Sequence, residues 1–322
     1  MQSVLLRRVA AWVLAAAGCA LLAAAVGSAA IPASAGRGSA RAASTSGGLI
    51  AAVGAENEYA NVISQIGGRY VRVSAIESNP NTDPHSFEAS PSVAQEVSAA
   101  AVVVQNGLGY DSYMNSIEAA SPDRSRKVID VQTLLGLPDS TPNPHLWYAP
   151  STMPAVAKAL LADLAAIQPS HRAYFEANAT AFDKSLKPWY AAVAAFAKRY
   201  PKTPVATTEP VGDYMLQAAG TVNETPFPLQ ADIMNGVDPA PQAVTFQDSL
   251  FSKHLVKVFV YNQQVTDTLT ASFLADAKKY GIPVVGVYET MPTPGYDYQS
   301  WMLAEINALA KAVADKVSTQ KL

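Results

Sequence analysis

The chain has 322 residues, of which 49% are hydrophobic and 15% are charged, and its formal net charge is -3. At ~150 residues per domain, this length allows about two domains with sizeable cores. The hydrophobic content excludes a disordered or coiled-coil chain, and the weak negative charge excludes electrostatic attraction to nucleic acid. The single cysteine, Cys19, lies in an apolar N-terminal run, so a metal would need histidine and carboxylate ligands.

Residues 1–35 have the pattern of an export signal. A pair of arginines precedes an apolar run, and small residues lead to an A-x-A cleavage pattern that ends at Ala35. The run is also long enough for an uncleaved membrane anchor, and the residues before Cys19 resemble a bacterial lipoprotein signal. Cleavage after Ala35, lipidation of Cys19 and an uncleaved anchor therefore stay open. In each case the protein is exported to the periplasm or the cell surface. Residues 36–48 are rich in Ser, Ala and Gly and predict a flexible linker.

Residues 49–168 predict a first α/β lobe. Short β-branched runs alternate with helical stretches, which is typical of βαβ units with a mainly parallel sheet. The helix predicted over 56–66 ends at Gly67 and Gly68, where a glycine C-cap is expected. The predicted strands of this lobe are Leu49–Val53, Tyr70–Ile76, Ala101–Gln105 and Val128–Val131.

Residues 169–201 predict a helical connector, and residues 202–322 predict a second α/β lobe. In the connector, Pro188 either kinks one long helix or begins a second one. In the second lobe, a helix over 271–280 is stopped by a glycine and a proline. The expected fold is therefore α/β, with two lobes that each have a mainly parallel sheet flanked by helices, joined by one long rigid helix. The predicted strands of the second lobe are Pro204–Thr208, Leu255–Tyr261 and Ile282–Val287.

Two of the four histidines occur in the same short sequence motif, Asx-Pro-His. The segments Asp83–His85 and Asn143–His145 both place a histidine after an Asx-Pro turn, in which proline restricts the backbone. Each phrase lies between the carboxyl end of a strand and the start of a helix, which is where ligands bind in open α/β sheets. The repeated phrase predicts that His85 and His145 are metal ligands.

The second lobe offers carboxylates at matching positions. Glu209 directly follows one predicted strand, and Glu289 directly follows another. A carboxylate at a strand end is also a common helix cap, so neither residue alone indicates a metal site. Together with the two imidazoles, however, the two carboxylates would form a four-ligand cage for a divalent cation.

These residues carry a resemblance to the solute-binding proteins of bacterial zinc and manganese ABC importers, the cluster A-I family of metal-binding lipoproteins and adhesins. The resemblance extends from Leu49 to the C-terminus and implies two α/β lobes joined by one long helix. It also implies one metal ligand from each of four segments, here His85, His145, Glu209 and Glu289. The segments that carry it are Asp83–Pro91, Asn143–Trp147, Thr208–Pro210 and Tyr288–Thr290.

Members of this family differ among themselves, and three features of the chain bear on that variation. It lacks the His- and Asp-rich loop that some members carry between the first two ligand histidines. Glu209 stands where zinc-type members commonly have histidine and manganese-type members have glutamate. Glu289 stands where aspartate is commoner, so Asp297 is an alternative fourth ligand. A mixed imidazole and carboxylate set suits zinc, manganese or iron, and the expected ligand is a divalent transition metal, Zn²⁺ or Mn²⁺.

The resemblance implies an extracytoplasmic receptor that captures Zn²⁺ or Mn²⁺ in a cleft between its lobes. It would deliver the metal to an ABC importer permease in the cytoplasmic membrane, as a monomer and not as an enzyme. The alternative is a secreted metallohydrolase in which Glu209 or Glu289 acts as a general base beside an open coordination site. The sequence has no H-E-x-x-H or G-x-S-x-G phrase to support that alternative. An additional role in cell adhesion stays open, and no nucleic-acid partner is expected.

Overall fold

The computed structural model describes residues 48–322. The predicted export signal, Cys19 and nearly all of the predicted linker lie outside the described residues. Among the helices of the described part, none is both long enough and apolar enough to cross a membrane.

The first lobe is built on a four-stranded sheet in the order β2-β1-β3-β4, in which every neighbouring pair is parallel. The central strand β3 is buried along its whole length, as expected for a parallel sheet covered on both faces. The elements of this lobe are β1 (Ile50–Glu56), α1 (Asn57–Gly67), β2 (Val71–Glu77), α2 (Pro91–Ala99), β3 (Val102–Gln105), α3 (Ser112–Ala120), β4 (Lys127–Asp130), α4 (Val131–Leu134) and α5 (Thr152–Ile167).

Helix α1 shows how the sequence pattern determines local structure. Its apolar residues Tyr59, Val62, Ile63 and Ile66 recur at helical spacing and are all buried. The helix ends at Gly68, which has φ = 52°, a backbone conformation that glycine adopts without steric cost. The chain then turns into β2, which lies parallel to β1. This helix is therefore where the sequence predicts it, with bounds one residue later.

The second lobe repeats the arrangement with a parallel sheet in the order β6-β5-β7-β8. The two-residue strand β6 was not predicted, because it is too short to show a sequence pattern and its Val222 is exposed at the sheet edge. The elements of this lobe are β5 (Pro204–Thr207), α8 (Asp213–Ala218), β6 (Val222–Asn223), α9 (Phe227–Met234), α10 (Pro241–Ser252), β7 (Val258–Asn262), α11 (Thr268–Lys279), β8 (Val284–Val287) and α12 (Tyr298–Asp315).

Two consecutive helices, α6 (Arg172–Ser185) and α7 (Lys187–Arg199), connect the lobes. They are separated only by Leu186, whose backbone stays helical at φ = -76° and ψ = -17°. The interruption falls here because Pro188, in the first turn of α7, has no N–H to donate to the preceding turn. The predicted α/β fold with two parallel-sheet lobes is confirmed, and its connector differs from one uninterrupted helix at this single residue.

One hydrophobic core extends from the first lobe through the connector into the second lobe. Its centre is aromatic, with ring centroids 5.6 Å apart for Tyr148 and Trp301 and 5.9 Å apart for Trp189 and Tyr298. The Tyr298 hydroxyl donates a hydrogen bond of 2.6 Å to the backbone carbonyl of Trp147. The two lobes are therefore joined by packing as well as by the chain.

Glu305 of α12 is a buried carboxyl group within this core. It is 1% exposed and accepts hydrogen bonds from Trp301 Nε1 at 3.0 Å and from the Tyr148 hydroxyl at 3.3 Å. Burial raises its pKa from 4.5 to about 8, although both hydrogen bonds act in the opposite direction. The folded state therefore keeps a proton that the unfolded state releases. Stability should fall as pH rises from about 4.5 to about 8.

Replacing Glu305 with glutamine should reduce this pH dependence, because the amide keeps the shape and an acceptor oxygen but does not ionise. We expect Glu305→Gln to unfold at higher urea concentration than the parent protein at pH 8.5 and to differ little from it at pH 5. Urea titrations at both pH values measure this. Glu176→Gln, an exposed change on α6, is the matched control. The same pH dependence in Glu305→Gln and the parent would contradict the prediction.

Candidate metal centre

The two histidine phrases fold in the same way. Asp83 Oδ1 accepts a hydrogen bond of 2.8 Å from the backbone N–H of His85, and Asn143 Oδ1 accepts one of 3.0 Å from that of His145. In each phrase the Asx side chain fixes the backbone two residues further on, which is the Asx turn that the sequence favours. Both histidines are therefore held on stiff turns, in the loop that follows β2 and in the loop that follows α4.

Three of the predicted ligands converge on one point. The Nε2 atoms of His85 and His145 each lie 3.1 Å from Oε2 of Glu289, which follows β8 in the second lobe. Ligand atoms of all three side chains lie within 4.8 Å of one another. In a tetrahedral zinc site with bonds of 2.0–2.1 Å, neighbouring ligand atoms are about 3.3 Å apart. The two distances of 3.1 Å to Glu289 are close to this spacing.

The three side chains differ in their access to solvent. The side chain of His85 is 22% exposed, whereas those of His145 and Glu289 are completely buried. The ring of Trp147 adds an apolar wall, since its centroid is 5.4 Å from that of His145. A metal ion would therefore enter or leave on the His85 side.

Asn143 also determines the orientation of the His145 ring. Its Oδ1 lies 2.8 Å from His145 Nδ1, and an amide oxygen can only accept a hydrogen bond. When the ring is neutral, its proton is therefore on Nδ1, and the lone pair of Nε2 is available to a cation at the centre. The Asn143 amide in turn donates a hydrogen bond of 2.7 Å to the backbone carbonyl of Pro210, which follows Glu209.

Glu209 lies beside this group and not within it. Asn262 separates the two carboxylates, since its Nδ2 is 2.7 Å from Oε1 of Glu289 and 3.2 Å from Oε1 of Glu209. The other oxygen of Glu209, Oε2, is buried and has no hydrogen-bond partner within the described part of the chain. Glu209 therefore has a buried oxygen without a partner among the described residues, but it does not share the close spacing of the other three residues.

The ionisable side chains of the site shift one another's pKa values. Burial raises the pKa of Glu289, but the imidazoles of His145 and His85 outweigh this effect and hold that pKa well below its usual range. Burial lowers the pKa of His145. Burial also opposes protonation of His85, yet its hydrogen bond to Glu289 raises the pKa overall. Burial and the neighbouring charge of Glu289 raise the pKa of Glu209. The site therefore concentrates negative charge on Glu289, where both imidazoles point.

The alternative ligand Asp297 has a different position and a different contact. It is the N-cap of α12, where its side chain accepts a hydrogen bond of 2.9 Å from the backbone N–H of Ser300. The other histidines also lie elsewhere: His171 stacks on Tyr70 with a centroid distance of 3.8 Å, and His254 is exposed after α10. The structure thus brings together two of the four histidines, and Asp297 is not in their group.

Sequence reasoning missed three polar residues of the site, namely Tyr110, Asn262 and Gln264. The Tyr110 hydroxyl donates a hydrogen bond of 3.0 Å to Oε2 of Glu289. A signal was available for Asn262 and Gln264, because they begin a polar run at the carboxyl end of a buried strand, the same context that identified Glu209. Tyr110 lies in the loop after β3 without any comparable signal.

The fold and the site define a two-lobe α/β protein in which two histidines of one lobe meet a carboxylate of the other. A model of the family described as zinc-uptake complex component A, periplasmic (ZnuA), matches residues 53–312. The chain belongs to this family. The resemblance that the sequence motifs indicate is thereby confirmed, as is the predicted class of metal-binding component in a metal-uptake system.

Several solved structures share this fold. A crystal structure of ZnuA is 21% identical, with 83% of this chain and 100% of that chain covered and a TM-score of 0.66. The periplasmic zinc-binding protein TroA from Treponema pallidum is 16% identical, with coverage of 83% and 100% and a TM-score of 0.71. A Mn-bound periplasmic metal-binding protein from Candidatus Liberibacter asiaticus is 18% identical, with coverage of 81% and 98% and a TM-score of 0.66. No curated protein sequence matches the chain.

Proposed function

We propose that the protein captures one divalent transition metal ion with His85, His145 and Glu289, and that Glu209 completes the shell as a fourth ligand. The convergence of two imidazole nitrogens from one lobe on a carboxylate oxygen from the other carries this proposal. The Oε2 atom of Glu209 supports its role, because a buried carboxylate oxygen without a hydrogen-bond partner is suited to bind a cation. Imidazole and carboxylate are established ligands of zinc.

Zn²⁺ is the metal we propose to bind most tightly, with Mn²⁺ as a weaker competitor. A given set of nitrogen and oxygen ligands binds Zn²⁺ more tightly than Mn²⁺. The family is described by zinc uptake, and similar structures are named as zinc-binding, Mn-bound and Cd-bound proteins. Competition titrations of chelator-treated protein should rank Zn²⁺ above Mn²⁺. The opposite order would assign the chain to manganese.

We assign this centre to transport and not to catalysis. Four protein ligands fill a tetrahedral shell and leave no position for an activated water, which a metallohydrolase requires. The family name and the predicted export signal support a receptor outside the cytoplasmic membrane that passes its metal to an ABC importer permease. A bacterium that lacks the protein should accumulate less zinc under chelation. The wild-type chain should restore uptake, and His145→Ala should not.

Metal affinity should depend on pH, because protons compete with the metal for the imidazoles. Glu289 raises the pKa of His85 although burial opposes this, whereas burial lowers the pKa of His145. As pH falls, His85 therefore takes up a proton first and His145 follows at lower pH. We expect affinity to fall with a slope near one proton per metal around ~6.5 and to approach two protons only at more acidic pH.

The apparent dissociation constant, measured at several pH values in weakly coordinating buffer, tests this prediction. Competing binding of metal by the buffer must be subtracted at each pH. In His85→Ala, any residual affinity should lose the first of the two proton-linked steps. A flat profile between pH 7.5 and 5.5 would show that the two histidines are not both ligands.

A further inference from the structure

Gln264 connects the two lobes beside the metal centre. It is 6% exposed and lies just beyond the end of β7. Its Oε1 accepts hydrogen bonds from the backbone N–H groups of Glu289 at 2.6 Å and of Thr290 at 2.8 Å. Its Nε2 donates a hydrogen bond of 2.8 Å to the carbonyl of Thr82, in the first-lobe loop that carries His85. One side chain thus joins the backbone of one proposed ligand to the loop of another.

Asn143 makes the corresponding connection in the opposite direction. It belongs to the first lobe, and its Oδ1 holds both the backbone N–H and the ring Nδ1 of His145. Its Nδ2 donates to the carbonyl of Pro210 in the second lobe, directly after Glu209. Gln264 therefore links the loops of Glu289 and His85, and Asn143 links those of His145 and Glu209.

We propose that Gln264 and Asn143 are positioning residues that link the lobes across the metal centre and hold the loops of its four proposed ligands in place before the metal arrives. This inference rests on the proposed function. A carboxamide suits the task because it donates and accepts at once, and it carries no charge that would compete with the metal. Ligands that are already in register lose less conformational freedom on binding, and this strengthens binding.

Gln264 is the more informative residue to test, because within the described residues its side chain hydrogen-bonds to the loops of two proposed ligands and not to a ligand side chain. Gln264→Met keeps the length of the side chain and removes both its donor and its acceptor. The buried N–H groups of Glu289 and Thr290 then lose their partner, which costs stability and frees the loop. Because residues that orient metal ligands typically contribute ~10–100-fold in affinity, we expect a rise of that size in the Zn²⁺ dissociation constant, mostly through faster release.

Gln247→Met is the matched control. Gln247 is completely buried in the second lobe. Its amide donates a hydrogen bond of 3.1 Å to the Thr207 carbonyl and accepts one of 2.9 Å from the Thr225 hydroxyl. Both substitutions should lower the melting temperature, but only Gln264→Met should weaken Zn²⁺ binding and change the visible spectrum of the Co²⁺-substituted protein. Equal Zn²⁺ affinity in the two variants would overturn the proposal.

Amide hydrogen exchange separates this proposal from the proposed function. In chelator-treated Gln264→Met, exchange should accelerate both at Glu289 and Thr290 and in the first-lobe loop over 82–87. Acceleration confined to Glu289 and Thr290 would overturn the link between the lobes. If wild-type protein bound no metal, the proposed function would fail, while the exchange pattern would still decide the link. If Gln264→Met does not fold, Gln264→Glu replaces it. This variant keeps the acceptor oxygen and loses the amide donor to Thr82. The same measurement, the amide exchange rate in residues 82–87, then tests the link.

Discussion

Alanine in place of His145 is expected to abolish tight metal binding. Its Nε2 lies 3.1 Å from Glu289 Oε2 in a completely buried position, so water can replace the lost ligand only poorly. Changes in residues that merely orient ligands typically cost ~10–100-fold in metal affinity, and loss of a ligand itself should exceed that range. Calorimetric titration of chelator-treated protein with Zn²⁺ measures the effect. His85→Ala should behave in the same way, although its more exposed position leaves room for a substituting water.

His171→Ala is the control for these substitutions, because it removes an imidazole at the start of the connector, away from the centre. His171 stacks on Tyr70, so its loss should leave the dissociation constant for Zn²⁺ unchanged. Nearly native affinity in His145→Ala would contradict the assignment of this residue as a ligand. Equal losses in His145→Ala and His171→Ala would point to a general effect on the fold.

The second large expected effect is stabilisation of the fold by the metal. The proposed ligands come from loops that are far apart in sequence, with 144 positions from His145 to Glu289, and only the folded chain brings them together. A ligand that binds only the folded state adds ~4 kcal/mol to the free energy of unfolding at a concentration one thousand times its dissociation constant. The melting temperature of chelator-treated protein should therefore rise by several degrees when Zn²⁺ is added.

Thermal unfolding with Zn²⁺, Mn²⁺ and Mg²⁺ measures this stabilisation. Mg²⁺ prefers octahedral oxygen ligands and should have little effect at the same concentration. The shift with Zn²⁺ should disappear in His145→Ala. A melting temperature that neither Zn²⁺ nor Mn²⁺ changes would contradict a site formed by ligands from both lobes.

Much of the fold could be predicted because its strands are short buried runs bounded by turn residues. Helix α1 and strand β3 carry clear apolar patterns and lie within one or two residues of the predicted positions. The start of β7 was harder to predict, because Leu255 precedes the observed strand by three residues and is exposed. The break at Leu186 was left open, since proline permits either a kink or a new helix and packing decides between them.

The residues of the site likewise differ in how far local sequence predicts them. The histidine positions follow from local chemistry, because the Asx-Pro phrase both forms the turn and aims the ring. The position of Glu209 relative to Glu289 depends on Asn262, which intervenes through contacts between separate strands. The roles of Gln264 and Tyr110 likewise arise from contacts between distant segments, which local sequence patterns do not encode.

X-ray absorption at the metal edge of Zn²⁺-loaded protein, combined with elemental analysis, tests the proposed centre most directly. The proposed ligands predict one Zn²⁺ per chain, two imidazole nitrogens and carboxylate oxygens at about 2.0–2.2 Å, and no sulfur. His85→Ala should show one imidazole fewer at the metal or no bound metal. Protein that holds no stoichiometric metal, or a spectrum with fewer than two imidazoles in the wild type, would contradict capture by His85, His145 and the second-lobe carboxylates.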